Sequence, residues 1–173
     1  MAQPAPSPTR SAAAPPSISP IGGLSGCPVT QPVPAGPEVP AGALFGQTSA
    51  FGNADLWVGA LGPAGVFTLE PDPVHGMGTK LGWYRITAGE LQIAGRRLDG
   101  PAPALISHVP DGYGETGFQS SGVDFPSEGC WERALALGRL TTSGCWIFCR
   151  NRRRCRAQRR TYMRDHRIGL VNP

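Results

Sequence analysis

The amino-acid sequence predicts an all-β protein, a small antiparallel β-sandwich. Residues 41–132 contain short β-forming runs between turn signals that recur every 8–15 residues, and no helical periodicity separates them. In one of these runs Leu91 and Ile93 alternate with Gln92 and Ala94, which is the period of two of a half-buried strand. A length of about 90 residues also suits a sandwich of this kind.

Seven strands are expected, each bounded by residues that fix φ or accept a positive φ. The turn signals include Gly62-Pro63 and the stretches 71–73, 88–89, 99–101 and 110–112. The predicted strands are 55–61, 66–69, 81–86, 90–95, 105–109, 118–125 and a final strand that opens at Cys130.

The expected core contains few large side chains, so a cross-link would help such a domain to fold. The predicted interior residues are Leu56, Val58, Phe67, Leu69, Trp83, Leu91, Ile93, Leu98, Leu105, Phe118, Phe125 and Trp131.

Composition divides the 173 residues into three unlike segments. Residues 1–40 hold 11 of the 19 prolines and are predicted to be a disordered Pro/Ala/Ser-rich stalk, because they cannot bury enough apolar surface. Residues 41–132 hold five of the six phenylalanines and form the predicted domain. Residues 133–173 carry 11 basic residues and one acidic residue, or +10, whereas residues 1–132 carry 5 basic and 11 acidic residues, or −6, so the positive net charge of +4 comes from an irregular tail and not from the domain.

The five cysteines do not form one set. Cys27 and Cys130 bracket the predicted domain, and a disulfide between them would imply an oxidising compartment; two unpaired thiols are the alternative. Cys145, Cys149 and Cys155 lie in the tail, where together with His166 they are four ligands of the types that could bind zinc. Their spacing does not match the paired knuckles of common zinc sites, and no metal or cofactor is predicted.

The tail allows two further interpretations. A cluster of arginines could bind the phosphate backbone of nucleic acid, although Tyr162 is the only aromatic residue among them. Alternatively, the abrupt change in composition after Glu132, in the middle of a predicted strand, suggests a frameshift product, which would leave the sandwich without its native last strand. The cluster consists of Arg150, Arg152, Arg153, Arg154, Arg156, Arg159 and Arg160.

No catalytic motif is present, and no catalytic residue is predicted. His75 and His108 stand alone in the sequence. Four carboxylates crowd one stretch and could support an envelope hydrolase only if they were held across a cleft; they are Asp111, Glu115, Asp124 and Glu128.

The residues predicted to bind a ligand are Arg96, Arg97, Asp99 and Tyr113. Two adjacent arginines on a strand point to opposite faces, so one of them could cross the edge of the domain. Pairing with Asp99 as a structural ion pair is the alternative to ligand binding.

Three stretches, 27–30, 89–105 and 110–132, resemble a family of bacterial exported or lipoprotein-like proteins with an immunoglobulin-like domain. No activity is established for that family. The resemblance implies an immunoglobulin-like sandwich, export, and a disulfide between Cys27 and Cys130. This chain departs from the family pattern because it lacks a leader before the stalk and has the arginine-rich tail after Glu132.

The sequence therefore predicts a monomeric cell-envelope or secreted module that acts by binding or as a structural element. Its partner would be an unknown envelope or extracellular molecule. No stretch approaches the 18 apolar residues of a membrane span, and no signal sequence is predicted in the chain.

Overall fold

A computed structural model describes residues 26–59, 65–69 and 77–149. Over these residues the chain forms ten strands and one short helix. They are β1 (Val33–Pro34), α1 (Ala41–Leu44), β2 (Ser49–Gly52), β3 (Leu56–Gly59), β4 (Val66–Thr68), β5 (Met77–Arg85), β6 (Leu91–Arg97), β7 (Ile106–His108), β8 (Gly117–Phe125), β9 (Gly129–Leu137) and β10 (Leu140–Cys149).

The strands form two sheets that enclose a common core. The larger sheet has the order β1-β2-β3-β5-β8-β7, and the smaller sheet has the order β4-β10-β9-β6. Neighbouring strands are antiparallel, apart from the parallel pair of β4 and β10. The predicted all-β sandwich is therefore confirmed, and its seven predicted strands correspond to β3–β9.

The core lies between the two sheets and is rich in aromatic rings. Trp83, Trp131 and Trp146 are fully buried there, together with Phe67 and Phe125. Two predicted core residues differ: Leu98 is only partly buried beside the disulfide, and Phe118 is 50% exposed because it points away from the core. The sequence interpretation missed several buried residues, namely Phe51, Met77, Leu81, Val123, Leu135, Leu137, Trp146 and Phe148.

The last hairpin corrects the predicted boundary at Glu132. β9 runs through that residue without a break, and β10 pairs with β9 along its length. The side chains of Leu135, Trp146 and Phe148 fill the core, which is why residues 133–149 form strands rather than an irregular tail. The sequence predicted that the sandwich lacks its native last strand, whereas the structure has β9 and β10 at that place. The arginine cluster and residues 150–173 lie outside the described residues. That the segment after Glu132 is a frameshift product stays a prediction.

The residues just before the domain are also part of it. Cys27 and Cys130 form the predicted disulfide, which is buried in a small apolar cluster with Val29 and Ile147. The amide of Thr30 donates to the carbonyl of Cys145 at 2.9 Å, and β1 pairs with β2. The predicted stalk is therefore too long at its C-terminal end, because residues 26–40 pack on the sandwich; residues 1–25 lie outside the described residues.

The segment from β1 to α1 covers half of the outer face of the larger sheet. Val39 and Ala43 pack there against Trp57 and Ala50, and Tyr84 borders this cluster. The other half, formed by β5, β8 and β7, is more exposed, although Phe45, which follows α1, and Tyr113 lie against Phe118 there. No helix in the described part of the chain is long and apolar enough to cross a membrane.

Candidate binding surface

A shallow groove of about 670 Å³ lies on the more exposed half of the larger sheet's outer face. Residues on β8 alternate between the core and the outside, so Ser120, Gly122 and Asp124 face outward while Val123 and Phe125 are buried. Gly122 pairs with Lys80 on one side and with His108 on the other. We call this groove the outer groove; it is lined by Lys80, Ser107, His108, Val109, Pro110, Ser120, Ser121 and Gly122.

The polar centre of the outer groove is an imidazole next to a carboxylate. His108 Nε2 lies 3.3 Å from Asp124 Oδ2, and the His108 side chain is largely exposed. The nearby serine hydroxyls are engaged elsewhere: Ser121 accepts from Trp83 Nε1 at 2.8 Å, and Ser107 donates to the carbonyl of Ile93 at 2.8 Å. Within the described residues, no hydrogen bond joins His108 to a serine, so the groove does not contain an assembled serine nucleophile.

Three exposed aromatic side chains form a wall beside the groove, which we call the aromatic cluster: Phe45, Phe118 and Tyr113. The ring centroids of Phe45 and Phe118 are 5.6 Å apart, and those of Phe118 and Tyr113 are 5.9 Å apart, both edge to face. Phe118 is 50% exposed, and the other two are each 37% exposed. The Tyr113 hydroxyl lies 2.6 Å from Ser120 Oγ, which ties the cluster to the groove.

Phe45 occupies this position through an unusual backbone conformation. It follows α1 with φ 49° and ψ 38°, in the left-handed region, where a bulky side chain is uncommon. Its ring lies over Gly59, where an added Cβ would come within 2.7 Å of Phe45 Cδ2. The fold thus holds an aromatic ring at the surface in a strained conformation, a feature that is concentrated at binding sites.

The residues predicted to bind a ligand are not brought together. Tyr113 belongs to the aromatic cluster, in the loop that precedes β8. Arg96 faces outward on the smaller sheet and pairs with Glu132 at 2.7 Å. Arg97 pairs with Asp99 at 2.7 Å and also contacts Ser127, beyond the other end of β8. A shared site of the arginines and Tyr113 is therefore not formed, because β8 separates them.

Arg97 and Asp99 brace the disulfide. Asp99 Oδ1 accepts the backbone N–H of Cys130 at 3.0 Å, and its hydrogen bond to Arg97 raises the pKa of that guanidinium. Gly129 lies directly against both side chains, and a Cβ there would be 2.6 Å from Asp99 Oδ1. Its φ of 149° is also one that L residues rarely adopt. These contacts agree with the structural ion pair that the sequence analysis gave as the alternative to ligand binding.

The carboxylates and cysteines do not assemble a metal site in the described part of the chain. Asp111 and Glu115 lie in the loop before β8, whereas Asp124 near the end of β8 pairs with His108. No group of three or more His, Cys, Asp or Glu residues in the described ranges is placed to hold a metal ion. Cys149 is bonded in a disulfide and therefore cannot be a zinc ligand, and Cys145 is a buried free thiol. Cys155, His166 and His75 lie outside the described residues.

Arg133 is a buried cation inside the core. It faces inward from β9, and its guanidinium lies 3.5 Å from the ring centroid of Trp146. Burial lowers the pKa of Arg133 to about 9, and attraction to Cys145 partly offsets this. Its Nε and Nη1 have no hydrogen-bond partner among the described residues. Because the two sheets enclose it, Arg133 affects stability rather than recognition.

Comparison of the chain with protein-family models, with curated proteins and with solved structures finds no match. Fold and surface together define a disulfide-linked all-β sandwich whose larger sheet carries exposed aromatic side chains on its outer face. The disulfide indicates a non-reducing environment.

Sequence reasoning missed most of the outer groove. Phe118 was assigned to the core although it alternates out of phase with Val123 and Phe125, and this phase could have shown that it faces outward. Phe45 carried no local signal, because its position depends on a left-handed residue after a four-residue helix.

Proposed function

We propose that this protein is an exported, immunoglobulin-like module that binds a partner protein through the outer groove and the aromatic cluster. The observation that supports this proposal is the contiguous row of Phe45, Phe118 and Tyr113 on the outer face of the larger sheet. Isolated exposed apolar residues are ordinary, whereas a contiguous patch with a polar rim is typical of an interaction site.

The composition of this surface suits a protein partner. Aromatic side chains are enriched at the centres of protein interfaces, where they are surrounded by polar residues that pair at the rim. Here the Tyr113 hydroxyl contacts Ser120, which lines the outer groove together with Lys80 and His108, and His108 pairs with Asp124. Both signs of charge are therefore present in and around the outer groove, so the surface offers no uniform field for a polyanion such as nucleic acid.

Export and attachment through a stalk belong to the same proposal. The buried disulfide between Cys27 and Cys130 supports an extracytoplasmic location, because such cross-links persist in oxidising compartments. The proline-rich residues before Cys27 would then separate the sandwich from its point of attachment. Nucleic-acid binding by the arginine cluster remains the alternative.

Site-specific photo-cross-linking tests the proposal. A photoreactive phenylalanine analogue replaces Phe118 in the full chain, and the matched control carries it at Leu140, which is comparably exposed on the smaller sheet. We expect a discrete cross-linked protein from position 118 in intact cells, none from position 140, and loss of the adduct when Tyr113→Ser is added. A cross-link between two copies of the chain would identify the partner as a second copy. The same adducts at both positions, or none at position 118, would contradict the proposal.

A further inference from the structure

The outer groove contains an exposed cation that has no counter-charge of its own. Lys80 is exposed on β5, and none of the ion pairs among the described residues includes it. The other charged groups at the groove, His108 and Asp124, pair with each other. Because opposite charges face each other across protein interfaces, the open ammonium of Lys80 calls for a carboxylate on whatever docks in the groove.

The strand register places this cation beside a gap in the surface of the sheet. Lys80 pairs with Gly122 on β8, and Gly122 pairs with His108 on its other side. Neighbouring strands are about 4.8 Å apart, so the Cα atoms of Lys80 and His108 are about 10 Å apart, with no side chain between them. A carboxylate can therefore lie on the backbone of β8 within reach of the Lys80 ammonium.

The fold itself does not require a glycine at position 122. A Cβ added to Gly122 would meet only His108 Cβ at 3.6 Å and Cδ2 at 3.8 Å, which are ordinary contacts, and its φ is outside the left-handed region. Gly78 on β5 differs, because a Cβ there would come within 2.7 Å of Asp124 Oδ1. β8 pairs with β5 through Gly122 without a bulge. A glycine inside a strand weakens it, and one without an internal reason indicates that another molecule approaches closely.

The charges of the groove favour a single carboxylate over a phosphate group. Lys80 supplies one positive charge, and Asp124 lies two residues further along β8 than Gly122. A phosphate group with nearly two negative charges would be repelled more strongly by Asp124 than the side chain of one aspartate or glutamate. One carboxylate also matches the single ammonium of Lys80.

We propose that the partner protein presents an aspartate or glutamate side chain that lies over Gly122 and pairs with Lys80, while apolar residues of the partner pack on the aromatic cluster. This inference rests on the proposed function, because it names the chemistry of the partner that the outer groove would hold. Phe118 and Gly122 are four residues apart on β8, or about 13–14 Å. One extended segment of the partner therefore spans both contacts with about four residues.

Zero-length carbodiimide cross-linking tests this inference, because Lys80 is the only lysine in the chain. In intact cells the carbodiimide activates the partner's carboxylate, and attack by the Lys80 amine forms an amide bond between the two proteins and releases the reagent as a urea. We expect an adduct with the same protein that the photoreactive residue at position 118 captures, and mass spectrometry should locate the bond at Lys80. The matched control, Lys80→Arg, keeps the charge without the reactive amine, so it should lose this adduct and retain the photo-adduct.

Gly122→Ala tests the close approach separately. It should leave the free energy of unfolding unchanged or raise it, since alanine is favoured over glycine inside a strand. The added methyl group should nevertheless reduce the yield of the photo-adduct from position 118 by about tenfold, because it occupies the space of the partner's carboxylate. Gly36→Ala is the matched control after β1, where a Cβ would meet only the Pro34 carbonyl oxygen at 3.8 Å, and it should not change the yield.

The outcomes distinguish this inference from the proposed function. Absence of a photo-adduct from position 118 in the parent chain would contradict the proposed function and this inference with it. If the photo-adduct forms but Lys80 gives no carbodiimide adduct, or is linked only to its own chain or to a different protein, this inference alone is overturned. A photo-adduct that Gly122→Ala leaves unchanged would overturn it as well.

Discussion

The guanidinium of Arg133 lies over the ring of Trp146, 3.5 Å from its centroid, and a second tryptophan, Trp83, lies 5.7 Å away on the opposite sheet. A cation between aromatic rings is attracted to their π faces. The same burial removes the guanidinium from water, and two of its nitrogens have no hydrogen-bond partner among the described residues. Loss of hydration therefore opposes the attraction to the rings at the centre of the sandwich.

Replacing Arg133 should show which effect is larger. We expect Arg133→Met to raise the free energy of unfolding by about 1–3 kcal/mol, because it removes a buried charge that no carboxylate among the described residues compensates. Arg133→Lys should lower it, since an ammonium keeps the charge and loses the planar stacking. Urea unfolding followed by tryptophan fluorescence measures both variants. A loss of stability in Arg133→Met would show that the contacts with tryptophan outweigh the loss of hydration.

Alkaline pH should separate the contributions of Arg133 and Cys145. The folded-state pKa of Arg133 is about 9, well below the ordinary value for an arginine, so from pH 9 upward the unfolded chain binds more protons at this residue. The penalty of the buried charge is fully present below about pH 9 and diminishes as the pH rises above it. The stability of the wild type relative to Arg133→Met should therefore increase above pH 9.

The Cys145 thiol acts in the opposite direction. Its burial raises its pKa above 9.0, so the folded state keeps the proton that the unfolded chain releases, and its contribution falls as the pH rises. Adding Cys145→Ala to both chains removes this opposing effect. Urea titrations at several pH values provide the measurement, and a difference between wild type and Arg133→Met that does not change above pH 9 would contradict the assigned pKa.

The disulfide should supply a large part of the stability. Cys27 and Cys130 are 103 residues apart, and closing a loop of this length contributes about 4–5 kcal/mol in the chain-entropy treatment. The double variant Cys27→Ala/Cys130→Ala should lose several kcal/mol, on that scale. Cys145→Ala is the matched control, since it removes a buried free thiol without breaking a cross-link. Thermal unfolding of the three chains gives the comparison, and equal losses in both variants would show that the cross-link itself contributes little.

The sequence predicted the middle strands because their turns and their period of two are local signals. The alternation of Leu91 and Ile93 identified β6, and the strand that opens at Cys130 was placed correctly at its start. At both ends of the domain, the amino-acid composition led to a wrong prediction of the boundary. Proline-rich residues pack on the sandwich where Val29 and Val39 supply apolar contacts, and basic residues after Glu132 do not prevent Leu135 from entering the core.

The candidate sites could be predicted only in part. Tyr113 was selected from the sequence and lies in the aromatic cluster, beside the outer groove. The position of Phe45 depends on a long-range contact that no local pattern encodes, because α1 places its ring over the sheet. A contact between residues far apart in the sequence becomes visible only once the register of the strands is known.

Every site described above depends on β9 and β10 closing the sandwich, and amide hydrogen exchange with mass spectrometry tests this closure most directly. Peptides that span residues 129–149 should be detected in the expressed protein and should exchange as slowly as those from β5 and β8, because their amides pair along the full hairpin. Rapid exchange after Glu132, with protection confined to earlier strands, would contradict a hairpin that completes the core. Peptides from another reading frame in place of residues 133–149 would contradict it equally.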